Sequence, residues 1–313
     1  FVIPSAENLS YAYLLGSVIV LIITLFYFNF FVIPLKWSFN KNIWVNILKI
    51  SWPLTFDFTA NWIYFNVGSF MIGFFGELYQ VGLFGVVTKI ISVLIAVASL
   101  ISKSFYPTLS RFLKESKERI QWIWNYNIKI MIALALPLTI GGIIFSSKII
   151  DLLYGLEHYG PSVLVLQILI FLTGITFLSY PYSMILAVYG YQKKNFIVIL
   201  IGFLLNVILN FILFSYYNIY GVAIATAITS VIVLLLTIIL IYRFTPVSPL
   251  NKELFKFFLV VIFPNVITFT LIKQPLVYNA SIIFSIPLGV ILYGAFLFSI
   301  IFVTKRFFKE NIF

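Results

Sequence analysis

Three ionisable side chains lie well inside long apolar stretches of this sequence: Asp57, Lys89 and Lys129. A charge facing hydrocarbon costs roughly 3 kcal/mol or more, so such groups usually face a polar cavity or a partner helix. Lys89 belongs to a pattern. Gly85, Lys89, Ser92, Ala96, Ser99 and Lys103 recur in alternating steps of four and three, which places them on one helical face. The rest of that run is Val, Ile and Leu. A narrow small-and-polar stripe suits a water-filled cleft, in which Lys89 would bind an anionic head group with Ser92 and Ser99 beside it. The alternative is a lysine that snorkels or pairs with an acid, over small residues used for packing. Asp57 shares a face with Asn61, Tyr64 and Gly68. It is the candidate for a coupling proton or Na⁺, or for a structural partner of Lys129 at similar depth. Asn206 and Asn210 follow Asn195 and Gly202 on one side of a later run, and Gln167 is isolated in another. These amides want hydrogen-bond partners, either a sugar or a neighbouring helix.

The sequence carries no enzyme signature. There is no HExxH and no GxSxG, and the one histidine, His158, has no evident partner. With no cysteine, disulfides and thiolate metal sites are excluded, and neither a metal nor a cofactor is expected.

The elements that must hold these residues follow from composition. Of the 313 residues, 62% are hydrophobic and only 9% charged, against about a quarter charged in soluble domains. Such a chain needs a bilayer. Nine runs reach the ~20 residues that a hydrocarbon core demands: about 10–34, 51–75, 81–106, 122–146, 161–188, 196–216, 219–242, 255–272 and 280–303. The fold class is therefore all-α, a polytopic helix bundle surrounded by membrane lipids. The net charge of +11 would suggest nucleic acid on a soluble protein. Here the charges gather in short loops, so no nucleic-acid partner is expected. Lys36, Lys41, Lys49, Lys103, Arg111, Lys114, Lys117, Arg119, Lys193, Lys194, Arg243, Lys252, Lys256, Lys305, Arg306 and Lys309 fall on one set of loops, and Lys148 and Lys273 on the other. The positive-inside rule makes the first set cytoplasmic, with residue 1 outside and the C-terminus inside. Trp37 to Ile50 reads as an amphipathic cytoplasmic linker, with Trp44, Ile47 and Leu48 on one face. Pro137, Pro181, Pro264 and Pro287 interrupt spans, where they serve as gates or simple kinks.

Three stretches carry a family resemblance: Leu186 to Ile228 (LAVYGYQKKNFIVILIGFLLNVILNFILFSYYNIYGVAIATAI), Val81 to Ile90 (VGLFGVVTKI) and Ile143 to Leu169 (IIFSSKIIDLLYGLEHYGPSVLVLQIL). In order and spacing, roughly residues 40–243 resemble the polysaccharide and O-antigen flippases of the multidrug/oligosaccharidyl-lipid/polysaccharide exporter superfamily. Family members often carry an Asp-Arg pair where this chain has Gly68 and Ser69. The resemblance implies two lobes of six helices, often followed by two more. It makes 1–35 the last helix of the first lobe, 36–50 the linker, 51–243 a complete second lobe and 244–313 the extra pair. It also implies an N-terminal truncation by five helices. The implied function is flipping of an isoprenoid-diphosphate-linked oligosaccharide across the cell membrane by alternating access. The rival readings are another cargo on the same fold, a drug or lipid II, and a membrane polysaccharide polymerase or glycosyltransferase.

Overall fold

The computed structural model describes residues 6–32, 40–113, 116–274 and 281–308; at 6, 7, 9, 50, 52–65 and 300–308 it describes the backbone alone. The described residues contain helices and no strand. The chain divides into two compact units, 1–55 and 56–313.

In the first unit, α1 (Ala6–Tyr27) passes into one π-helical turn, Phe28–Val32. Its side chains from Tyr11 to Val32 are exposed, as lipid-facing side chains would be. Helix α2 (Lys41–Phe75) begins in the first unit and ends in the second. Asn40 caps it, its side-chain oxygen accepting from the Asn42 amide at 3.0 Å. The described part of the linker expected at 36–50 and the span expected from 51 share this one helix. Residues 41–75 form one uninterrupted helix, in which Pro53 removes a backbone donor without ending the helix.

The second unit holds α3 (Leu78–Ser104), the short α4 (Tyr106–Phe112), α5 (Lys117–Tyr154), the single turn α6 (Leu156–Tyr159), α7 (Ser162–Val188), α8 (Gln192–Phe244), α9 (Lys252–Ile272) and α10 (Ile282–Phe308). Glycines at positive φ, Gly155 (82°) and Gly190 (80°), end α5 and α7. Ser116 and Asn251 cap α5 and α9, each accepting a backbone amide three residues on.

Helix α8 is 53 residues long. Straight, it would span ~80 Å, well beyond the ~45 Å of a bilayer with its head groups. It doubles back at Asn218, whose φ of 50° and ψ of −133° break the helix. The Asn206 amide therefore reaches the Thr229 hydroxyl at 2.9 Å across 23 residues of sequence. Gly221 lets the two halves touch, since a Cβ there would lie 2.1 Å from the Leu213 carbonyl oxygen.

Seven helices among the described residues are long and apolar enough to cross a membrane, not nine. The difference has two sources. Helix α8 counts once although it doubles back, and α2 contributes only its described part, Asn66–Phe75. Each of the nine expected segments overlaps helical backbone.

The core runs along α7. One cluster joins α3, α7 and α8 through Phe84, Val87, Leu166, Leu169, Val222 and Ala223. Another joins α5, α7 and α9 through Trp124, Ile128, Ile185, Leu254 and Phe257.

Candidate functional site

A cleft of about 910 Å³ opens between α2, α3, α7 and both halves of α8. Helix α3 contributes Thr88, Ser92, Ala96, Ser99, Ser102 and Lys103; α7 contributes Thr176, Ser179, Tyr180 and Ser183; α8 contributes Gln192, Asn195, Thr226 and Ser230. Asn66 and Gly68 of α2 line it too. Among the described residues, Lys103 is the one charge in this lining, and no acid joins it.

The hydroxyls are committed in a particular way. Ser92 donates to Lys89 O, Thr88 to Gly85 O, Thr176 to Leu172 O, Ser179 to Ile175 O, Thr226 to Val222 O and Ser230 to Thr226 O, all at 2.8–3.0 Å. Each proton is directed to the hydroxyl's own helix, so what remains for a guest is oxygen lone pairs. The wall therefore presents acceptors along most of its length. N–H donors in the lining are Lys103, Gln192, Asn195 and Asn66, with Gln192 already donating to the Ala187 carbonyl.

The expected site residues do not all come together. Ser92 and Ser99 line the cleft, with Ala96 and Lys103 of the same stripe. Lys89 does not: it points outward from α3 and is exposed. Three more amide residues are absorbed by packing. Gln167 donates to the Ser146 hydroxyl of α5 at 2.9 Å, and the buried Asn206 and Asn210 bond to each other and to Thr229 inside the α8 hairpin. The side chains of Asp57 and Asn61 lie outside the described residues.

Lys129 sits away from the cleft. It is 2% exposed and its Nζ lies 2.6 Å from Oε1 of Glu253 on α9. Oε2 of the same carboxylate accepts from Asn125, whose own oxygen accepts from Gln121 and Asn251. Lys129 is thus tied to Glu253, an acid whose place at the very start of its helix gives it no evident role by sequence. The sequence does hold a signal for this network: Gln121, Asn125 and Lys129 recur every four residues, a polar stripe on the first turns of an apolar helix. The α7 stripe of Thr176, Ser179 and Ser183 is likewise legible by spacing.

Gly68 packs against α8; a Cβ there would stand 2.7 Å from Val222 Cγ1. A larger residue would need the Val222 side chain to shift.

A family model described as "Polysaccharide biosynthesis protein" matches residues 1–163. No curated protein matches the chain significantly. Among solved structures, the chain is similar to the lipid II flippase MurJ in an inward closed conformation, with a TM-score of 0.70, 19% identity, and coverage of 89% of this chain and 58% of that one. It is also similar to an outward-facing multidrug resistance MATE family transporter of the MOP superfamily and to a MOP superfamily transporter from Pyrococcus furiosus. Each of these gives a TM-score of 0.56 at 20% identity, over 71% of this chain and 52% of the other. At these identities the likeness is one of fold. The chain spans little more than half the length of the structures it matches.

Proposed function

Because the chain belongs to the family of polysaccharide biosynthesis proteins, we propose that it works in the membrane step of that process, flipping an isoprenoid-diphosphate-linked oligosaccharide by alternating access. The observation that carries this reading is the acceptor-lined cleft with one cation in its described lining. A glycan is a dense array of O–H donors, and stripping water from an unpaired hydroxyl costs roughly 2–7 kcal/mol. Lone pairs on Ser92, Thr176, Ser179, Thr226 and Ser230 would replace that water. The diphosphate would sit by Lys103, on the cytoplasmic side, while the isoprenoid tail stays in the bilayer. In this reading α2 to α8 form one lobe of a two-lobe exporter, and Asp57 is our candidate for binding a coupling proton or Na⁺. An exporter of cationic drugs would instead want a carboxylate in the cleft, whereas the described lining offers Lys103.

Filling the cleft tests the proposal. Ser99→Trp should cut glycan export by about tenfold or more at matched membrane abundance, the equivalent of ~1.4 kcal/mol on the limiting step. Lipid-linked oligosaccharide should then accumulate on the cytoplasmic leaflet. Full export by that variant would refute a role for the cleft.

The two lysines of the stripe separate in a second experiment. Lys103→Gln should lower export several-fold and Lys103→Arg should recover part of it, because the charge is kept and the donor geometry changed. Lys89→Ala should do less than Lys103→Gln, since Lys89 is exposed and stands outside the cleft lining. The reverse order would move the head-group site to the exposed face of α3.

A further inference from the structure

Helix α5 carries a proline in mid-span, and the last helix answers it. Pro137 has no amide proton, so the carbonyl of Ala133, four residues earlier, loses its helical partner. The Tyr293 hydroxyl of α10 donates to that same carbonyl at 2.8 Å. The bond is not isolated. Lys129, one turn before Ala133, holds Glu253, and Gly141, one turn after Pro137, lies where a Cβ would meet the Phe269 ring at 3.2 Å. Positions 129, 133, 137 and 141 thus form a single i, i+4 row facing the last two helices.

We propose that Tyr293 is a positioning residue for transport: its hydroxyl stands in for the amide that Pro137 lacks, so that α9 and α10 set the bend of α5 behind the cleft. Helix α5 supplies none of the described lining, but it backs the wall. Met131 and Ala135 pack with Ala98 of α3 and Phe177 of α7, and the Asn127 amide reaches the Ser102 hydroxyl at 3.4 Å. A change in the α5 bend therefore moves the helices that carry Ser99 and Thr176. An unsatisfied carbonyl in hydrocarbon has no water to turn to, which makes the tyrosine hydroxyl the available substitute. The device is indifferent to which cargo the cleft takes.

The test is a cycle between two backgrounds. Tyr293→Phe removes the hydroxyl and keeps the ring; Pro137→Ala restores an amide that can bond Ala133 O. Both are made in the intact protein bearing Ala96→Cys, a reporter in the cleft wall. The measurements are the reaction rate of that cysteine with a water-soluble maleimide and the thermal midpoint in detergent. In the natural background Tyr293→Phe should change the labelling rate by about threefold, the scale of one hydrogen bond between membrane helices, and lower the midpoint. In the Pro137→Ala background both effects should shrink to less than about half. Equal effects in both backgrounds would overturn the proposal and place the hydroxyl's role elsewhere, with Asn265, its other neighbour. Tyr293→Phe indistinguishable from the natural protein would overturn it without the second background. Should Pro137→Ala not accumulate, Pro137→Gly restores the same amide with no side chain.

Discussion

Glu253→Ala is expected to destabilise the protein by about 3 kcal/mol and to deplete it from membranes. The reasoning starts from an asymmetry. Lys129 is 2% exposed and Glu253 is 47% exposed, so the two partners do not lose equally when the other is removed. Without Glu253 the ammonium stays enclosed, with the Phe257 ring 5.7 Å away as a weak substitute. Asn125 also loses its acceptor. The half-exposed carboxylate already shares its charge with water, which holds the loss to the lower end for a broken buried pair. Lys129→Met should be milder, because Glu253 can turn outward and hydrate. The double variant Lys129→Met with Glu253→Gln should return to within about 1 kcal/mol of the natural protein, since it removes both charges and still offers Asn125 an acceptor. Membrane abundance and the thermal midpoint in detergent measure all three. A double variant worse than Glu253→Ala alone would show that the pair is needed as charge and not as a matched contact.

Gly221→Ala should break the α8 hairpin at a similar cost, about 3 kcal/mol. The added Cβ would fall 2.1 Å from the Leu213 carbonyl oxygen and 2.5 Å from its carbon. Those are backbone atoms in the facing half of the hairpin, so no side-chain rotation relieves the clash. The halves must separate, and separation breaks the Asn206–Thr229 bond and takes the acceptor from the buried Asn206 amide N–H. Gly82→Ala on α3 is the control, because nothing lies within 4 Å of where its Cβ would stand; it should be neutral or gain up to ~1 kcal/mol from helix propensity. Asn218→Gly should also be neutral or stabilising, because glycine adopts a φ of 50° without strain. Limited proteolysis at 211–220 reads the hairpin directly: Gly221→Ala should be cut there and the other two should not. A Gly221→Ala protein as resistant as the natural one would mean that the two halves of α8 have room to spare.

Hydrophobicity along the chain is enough to establish a bundle of membrane helices, because apolar runs of about 20 residues have few other ways to satisfy their backbone polar groups. It also places the segments, the reversal between residues 216 and 219, and one wall of the cleft: the α3 stripe holding Ser92, Ser99 and Lys103 lines it over most of its length. Periodicity sorts residues onto faces, and to that extent the site can be read. It does not say what each face meets. Lys89 shares the stripe with Lys103, yet the lining takes in Thr88 beside it and Phe84 beyond it and passes Lys89 by. Asn206 and Asn210 read first as ties between helices, with sugar recognition as the alternative, and only the doubling-back of α8 puts Thr229 beside them. Lys129 has the pattern of a cavity charge, but α9 brings Glu253 to it. Ala133 carries no polar side chain at all, so nothing in its identity could announce that Tyr293 would bond its carbonyl. In each case a tertiary contact decides which partner the group has, for one physical reason. In a membrane a buried polar group must find its partner within the protein, and which partner it finds depends on helices that are distant in sequence.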